Sequence, residues 1–148
     1  MAALNGNGND DVVLNKAATI ERCIARARDE LAKDPAGFGA DFTRQDAAIL
    51  NIQRACQAAL DIGQHVIRSE RLGAPQSARD VFDLLSKADI IDIELADALK
   101  RMVGFRNIAV HDYQTLQLPI VVAIIEKHLE DFLRFSKTLI LRGREGDD

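Results

Sequence analysis

Tryptophan is absent from this sequence, tyrosine occurs once, and only three prolines interrupt it. So little proline leaves few enforced breaks, and the many Ala, Leu and Ile residues point to helix. Cysteine is nearly missing as well. Cys23 and Cys56 are too few for a disulfide framework, and no CxxC or paired His/Cys spacing supports a structural zinc site. Each sits inside an apolar helical pattern, where a free thiol packs as a small hydrophobe. Long apolar runs are lacking, so no segment reads as a membrane span. Met1–Asp10 has neither the basic start nor the apolar core of a secretory signal, and the expected compartment is the cytoplasm. An excess of positive charge is also missing. The formal net charge is −4 and the pI about 5.4, which excludes a global basic face for gripping nucleic acid. An RNA-directed activity would need a local cationic site or a basic partner.

What is present is enough apolar side chain for one core. The 148 residues are 47 % hydrophobic, and a domain of this size buries roughly 70 % of its unfolded surface. MAALNGNGND at the start and RGREGDD at the end read as flexible tails around a helical domain spanning residues 11–141. Five helical segments and no convincing strand are expected between them. The first runs from about Asp11 to Lys33, with Val13, Ala17, Ile20, Ile24, Ala27 and Leu31 on one face. Asp34 to Gly39 breaks it. Thr43 with Asp46 looks like a capping box for the second helix, whose face is Ile49, Ile52, Cys56, Ala59, Gly63 and Val66. Leu72-Gly73 before Pro75 reads as its stop. Ser77 with Asp80 caps a short third helix carrying Val81, Phe82, Leu84 and Leu85. A fourth begins near Ile93 or Glu94 and carries Leu95, Leu99, Met102 and Val103. Pro119 suits the first turn of a fifth, extending to about Leu141 through Val122, Ile125, Leu129, Phe132, Phe135 and Leu139. Such a pattern predicts an all-α antiparallel helical bundle.

The fourth helix becomes unusual at Arg106. Its neighbours at three, four and seven positions are Leu99, Met102, Val103, Ala109, Val110 and Tyr113, all apolar or aromatic. A guanidinium in an apolar stripe either snorkels, forms an internal ion pair or serves a function. His111 supplies a proton-transfer group near neutral pH, and arginine recognises phosphate through a planar fork of donors. Together they suit phosphodiester cleavage. On a straight helix, however, five residues rotate His111 about 140° away from Arg106 at ~100° per residue. Either the helix unwinds before His111, or two copies of the chain assemble the site across a two-fold axis. Tyr113 lies seven residues from Arg106, nearly in helical line with it.

Arg106-Asn107-Ile108-Ala109-Val110-His111-Asp112-Tyr113 is similar to the RX4HXY signature of HepT-like HEPN toxins. The resemblance extends to Asn51–Cys56, to Leu72–Asp80 and to Lys100–Phe105, and covers about residues 15–137. A lone R-x4-H is a weak signal; with the trailing Tyr and the upstream segments it is a strong one. The resemblance implies a HEPN-like helical homodimer with the motif in a cleft at the subunit interface. It implies metal-independent RNA cleavage, without a cofactor, by attack of the 2′-hydroxyl on its own phosphate. His111 would be general base or acid, Arg106 would hold the scissile phosphate, and Asn107 would orient the site or else stand as an exposed polar residue of the helix. It further implies a toxin of a type VII-like HEPN/MNT toxin–antitoxin pair. The partner would be an MNT-type nucleotidyltransferase antitoxin that neutralises the toxin by AMPylation of Tyr113. Asp112 reads as a helix-end residue or as one that steers His111.

His65 and His128 border apolar faces and read as core or boundary histidines. Arg54 is open between structural pairing and RNA contact, as are the basic pairs Arg68/Arg71 and Lys100/Arg101 between cleft border and solvated surface. The competing function is a non-cleaving HEPN module that binds a nucleotide or a nucleotidyltransferase partner, which would have no need of a proton-transfer group.

Overall fold

Apolar residues at three-four spacing wind six α-helices among the described residues of this computed structural model. It describes the backbone of residues 2–111 and 117–146 and the side chains of 11–109 and 117–143. The helices are α1 (Ala2–Ala32), α2 (Phe42–Glu70), α3 (Ala78–Lys87), α4 (Ile93–His111), α5 (Leu118–Lys127) and α6 (Leu129–Gly146), with a 3₁₀ turn at Phe38–Ala40. No strand occurs among the described residues. The two longest helices, α1 and α2, form the most extensive interface; α6 packs on α1, and α3 and α4 pair beside α2. One continuous core results. Ile20, Ile24, Ile52, Ile62, Phe82, Leu85, Leu99, Phe132 and Phe135 are almost wholly buried in it. At its centre Phe82 of α3 meets Phe135 of α6 edge to face, ring centroids 5.6 Å apart. Gly63 lets α2 approach there: a Cβ would stand 2.5 Å from Val81 Cγ1 and 3.3 Å from Leu85 Cδ1.

Several expected boundaries move, each for a local reason. α1 is wound from Ala2 rather than Asp11, and α6 continues to Gly146, past the expected end at Leu141. Ala2, Ala3 and Leu4 are good helix formers, and extending a nucleated helix is far easier than starting one. The cap of α2 is Asp41, whose carboxylate accepts from Arg44 N at 3.1 Å, not Thr43 with Asp46. α2 stops at a left-handed Arg71 (φ 56°), where Leu72 N donates to Ile67 O at 3.0 Å; Gly73 is not the terminating residue. Ser77 caps α3 as expected. Asp92 caps α4, accepting from Leu95 N at 2.7 Å. The single expected fifth helix is two, because the backbone leaves helical geometry at His128 (φ −118°, ψ −9°). Pro119 occupies the first turn of α5. Among the described residues no helix is long and apolar enough to cross a membrane.

Candidate active site on α4

Capped by Asp92 and anchored by buried Leu95, Leu99, Met102 and Val103, α4 carries Arg106 near its C-terminal end. Arg106 is half-buried rather than sealed in the stripe. Its Nη2 donates to Gln57 Oε1 on α2 at 2.9 Å, and its Nη1 donates to Asn107 Oδ1 at 3.4 Å. Of the two structural readings of Arg106, an internal ion pair is not what holds it. Both acceptors are neutral amides, so among the described residues no carboxylate compensates the guanidinium. That leaves its charge available to an anion. Asn107 itself is exposed.

Gln57 is in turn fixed. Its Nε2 donates to Asp61 Oδ1 at 2.9 Å, and Asp61 Oδ2 pairs with Lys16 Nζ at 3.1 Å. A relay thus runs from α1 through two turns of α2 to the motif arginine. Cys56 lies beneath it. Burial pushes its thiol up to about 12, while the Arg106 charge pulls the other way. Cys23 and Cys56 are both buried and free.

α4 remains helical through His111, so the helix does not unwind before that residue. Position 111 therefore falls on the helical row of Gly104 and Ile108, roughly 140° from Arg106. The side chain of His111, and Asp112 and Tyr113 entirely, lie outside the described residues. The row of Gly104 and Ile108 borders an open groove of about 440 Å³ that Arg79, Arg101, Met102, Phe105, Ile120 and Ile124 also line. Arg79 lies close across α4 at Gly104, where a Cβ would stand 2.8 Å from its Nη2 and the guanidinium would have to swing aside. Arg79 Nε also donates to Lys100 O at 3.4 Å.

Neither of the remaining histidines hydrogen-bonds to Arg106 among the described residues. His65 is held below its usual range by burial, then by Arg68, and its Nε2 has no described partner. His128 lines the groove and stands 3.8 Å from Asp131. Lys100 pairs with Asp83 at 2.9 Å, which makes it structural. Gln57 escaped the sequence reading. Its signal was a place one turn after Arg54 and one turn before Asp61, on the edge of the α2 apolar face.

A family model for ribonuclease HepT-like proteins matches residues 20–139. The chain belongs to the HepT-like family. The mRNA nuclease HepT of Shewanella oneidensis is 52 % identical over 126 residues, which is 85 % of this chain and 94 % of that one. A crystal structure of a toxin–antitoxin with AMP-PNP superposes with a TM-score of 0.84 at 50 % identity, covering 87 % of this chain and 97 % of its own. The tri-AMPylated S. oneidensis HEPN toxin in complex with its MNT antitoxin gives a TM-score of 0.83 at 51 % identity, covering 87 % and 96 %. The all-helical architecture of this HepT-like chain is therefore that of HEPN toxins.

Proposed function

We propose that this chain is the RNA-cleaving toxin of a HEPN/MNT toxin–antitoxin pair, acting in the cytoplasm as a homodimer, and that Arg106 and His111 are its catalytic residues. The observation that carries the reading is the state of Arg106. It is positioned by Gln57 and has no carboxylate partner among the described residues, on the helix that also bears His111. An arginine held there as half of an internal ion pair would meet an acid, and Arg106 meets none among the described residues. The relative named an mRNA nuclease and the solved toxin–antitoxin structures support the same assignment.

In this mechanism the RNA O2′ attacks its neighbouring phosphorus and the bond from phosphorus to O5′ breaks. The products are a 2′,3′-cyclic phosphate and a 5′-hydroxyl. His111 moves the proton, taking it from O2′ as base or giving it to O5′ as acid. Arg106 donates to the phosphoryl oxygens as their charge grows, and Asn107 with Gln57 keeps the guanidinium oriented. Neither role calls on a metal ion or a cofactor. The proposed homodimer answers the helical register. Arg106 faces α2 while position 111 shares the groove face, so one helix alone does not set the two residues side by side, and a second copy of the chain is the proposed source of the missing half. The exposed Ile108 and Ile120 on this face supply apolar surface for it.

Neutralisation is proposed to act on the same site. AMP attached by the nucleotidyltransferase partner to Tyr113, seven positions along the sequence from Arg106, would add a phosphodiester that competes with substrate phosphate for that arginine. The neighbouring tri-AMPylated toxin supports this reading.

The decisive experiment incubates the purified chain, free of its partner, with cellular RNA in excess EDTA. Cleavage is expected, and Arg106→Ala or His111→Ala should each lower it by about 10²–10⁴-fold without loss of helicity. No cleavage by wild type, or an undiminished rate in His111→Ala, would overturn the assignment.

A further inference from the structure

Beside the Gln57 relay, α1 and α2 enclose a second groove, of about 290 Å³. Cys23 and Ala58 form its buried floor, and Arg22, Arg26 and Arg54 line its exposed walls. All three guanidiniums come close enough to act on one point, the Cys23 thiol, which they pull down against the larger upward push of burial. They therefore share one opening.

The charge balance of this groove is unlike the rest of the surface. The chain has 23 acidic residues against 19 basic ones. Arg28 pairs with Glu130, Arg44 with Asp41 and Arg134 with Asp92. Arg22, Arg26 and Arg54 pair with nothing among the described residues, although Arg22 and Arg26 stand at a helix spacing where like charges oppose folding. The one acid lining the groove, Asp61, is already matched by Lys16 at 3.1 Å. A net-acidic protein has thus left three positive charges uncompensated at one place.

The groove also leads to the candidate active site. Gln57 lines it and holds Arg106 at 2.9 Å. From these observations we infer that the α1–α2 groove is a binding track for the phosphodiester backbone of single-stranded RNA, with Arg22, Arg26 and Arg54 gripping phosphates that flank the one at Arg106. The inference rests on the nuclease reading and adds the path of the substrate to it. Guanidiniums take phosphate oxygens two at a time, and a charged groove that follows the backbone serves any base sequence. It also supplies the local cationic site that a net charge of −4 demands of an RNA-directed protein.

The test compares two triple variants of the full chain in a His111→Ala background, so that the probe stays intact. One carries Arg22→Gln, Arg26→Gln and Arg54→Gln. The other carries the same substitution at the ion-paired Arg28, Arg44 and Arg134, and so changes net charge equally. Binding of a fluorescent single-stranded RNA is measured from about 50 to about 200 mM salt. The groove variant should bind roughly tenfold or more weakly and flatten the plot of log affinity against log salt by about two units, at ~0.7 per phosphate contact. The control should keep most of the wild-type slope, and Arg→Lys at the three groove positions should restore it. With His111 intact, the groove variant should show a raised KM and an unchanged kcat. Equal slopes for the two triples overturn the track. So does undiminished RNA binding with lost capture of the nucleotidyltransferase partner, which would assign the groove to a protein. A wild type that cuts no RNA removes the nuclease reading instead, and the binding arm still decides the groove.

Discussion

Gln57 Oε1 accepts a 2.9 Å hydrogen bond from Arg106 Nη2, tying the middle of α2 to the end of α4 that carries the motif. The bond is solvent-exposed and neutral on one side, so it positions the guanidinium without consuming its charge. Such bonds are worth about 0.5–1.5 kcal/mol net, and a tenfold rate change is about 1.4 kcal/mol. Gln57→Ala should therefore lower kcat on RNA by roughly three- to tenfold, leaving the pH profile unchanged. Gln57→Glu should act differently: its carboxylate competes with phosphate for Arg106 and raises KM. Kinetics on one defined RNA separates the two. An unaltered Gln57→Ala enzyme would show that Arg106 is placed without it.

Tyr113 is the proposed modification site. Co-expression with the cognate nucleotidyltransferase should add AMP-sized mass increments to the peptide containing Tyr113, and mass spectrometry of the digested protein reads them directly. Tyr113→Phe should accept none, keep its RNA cleavage and resist neutralisation by the partner. Modification at another residue, or normal neutralisation of Tyr113→Phe, would leave occlusion by the partner as the better account.

Cys56 gives a pH signature. Burial raises its thiol from an ordinary 9.0 to about 12, with Arg106 opposing. Between those values the unfolded chain has lost a proton that the folded chain keeps, so unfolding is favoured as pH rises. This contribution is fully present below pH 9.0 and is lost as pH climbs toward about 12. Thermal midpoints of wild type and Cys56→Ala, taken across that window, should converge as the wild type loses its advantage. Parallel curves would mean that the thiol is reached by solvent. Alkylation of native Cys56 by iodoacetamide near neutral pH should be negligible for the same reason.

Most of the helical frame was legible because its apolar periodicity is uninterrupted. Ile49, Ile52, Cys56, Ala59, Gly63 and Val66 all lie inside, as do Ile20, Ile24, Leu99 and Phe135. Ends were less legible, because caps are chosen by local geometry among several eligible residues. Asp41 rather than Thr43 caps α2, and Arg71 rather than Gly73 takes the left-handed turn. Phe38 was read as part of a breaker, yet its ring is buried from a 3₁₀ turn. At the site, Arg106 stood out from the sequence because its neighbours are apolar. Its partner Gln57 did not, since 49 residues separate them and only the packing of α2 on α4 brings them together. The basic groove was hidden for a similar reason. Arg22 and Arg26 on one helix and Arg54 on another look like ordinary surface until folding sets them around Cys23.

The unbroken winding of α4 through His111 bears on dosage. It sets positions 106 and 111 on different faces of one helix, so in the proposed homodimer the site is complete only when two chains meet. Well below the dimer dissociation constant, the number of complete sites rises with the square of chain concentration. A few stray copies synthesised without their partner would then be nearly silent, and damage would begin abruptly as the chain accumulates. Such a threshold gives the modifying enzyme time to act on newly made copies before they pair.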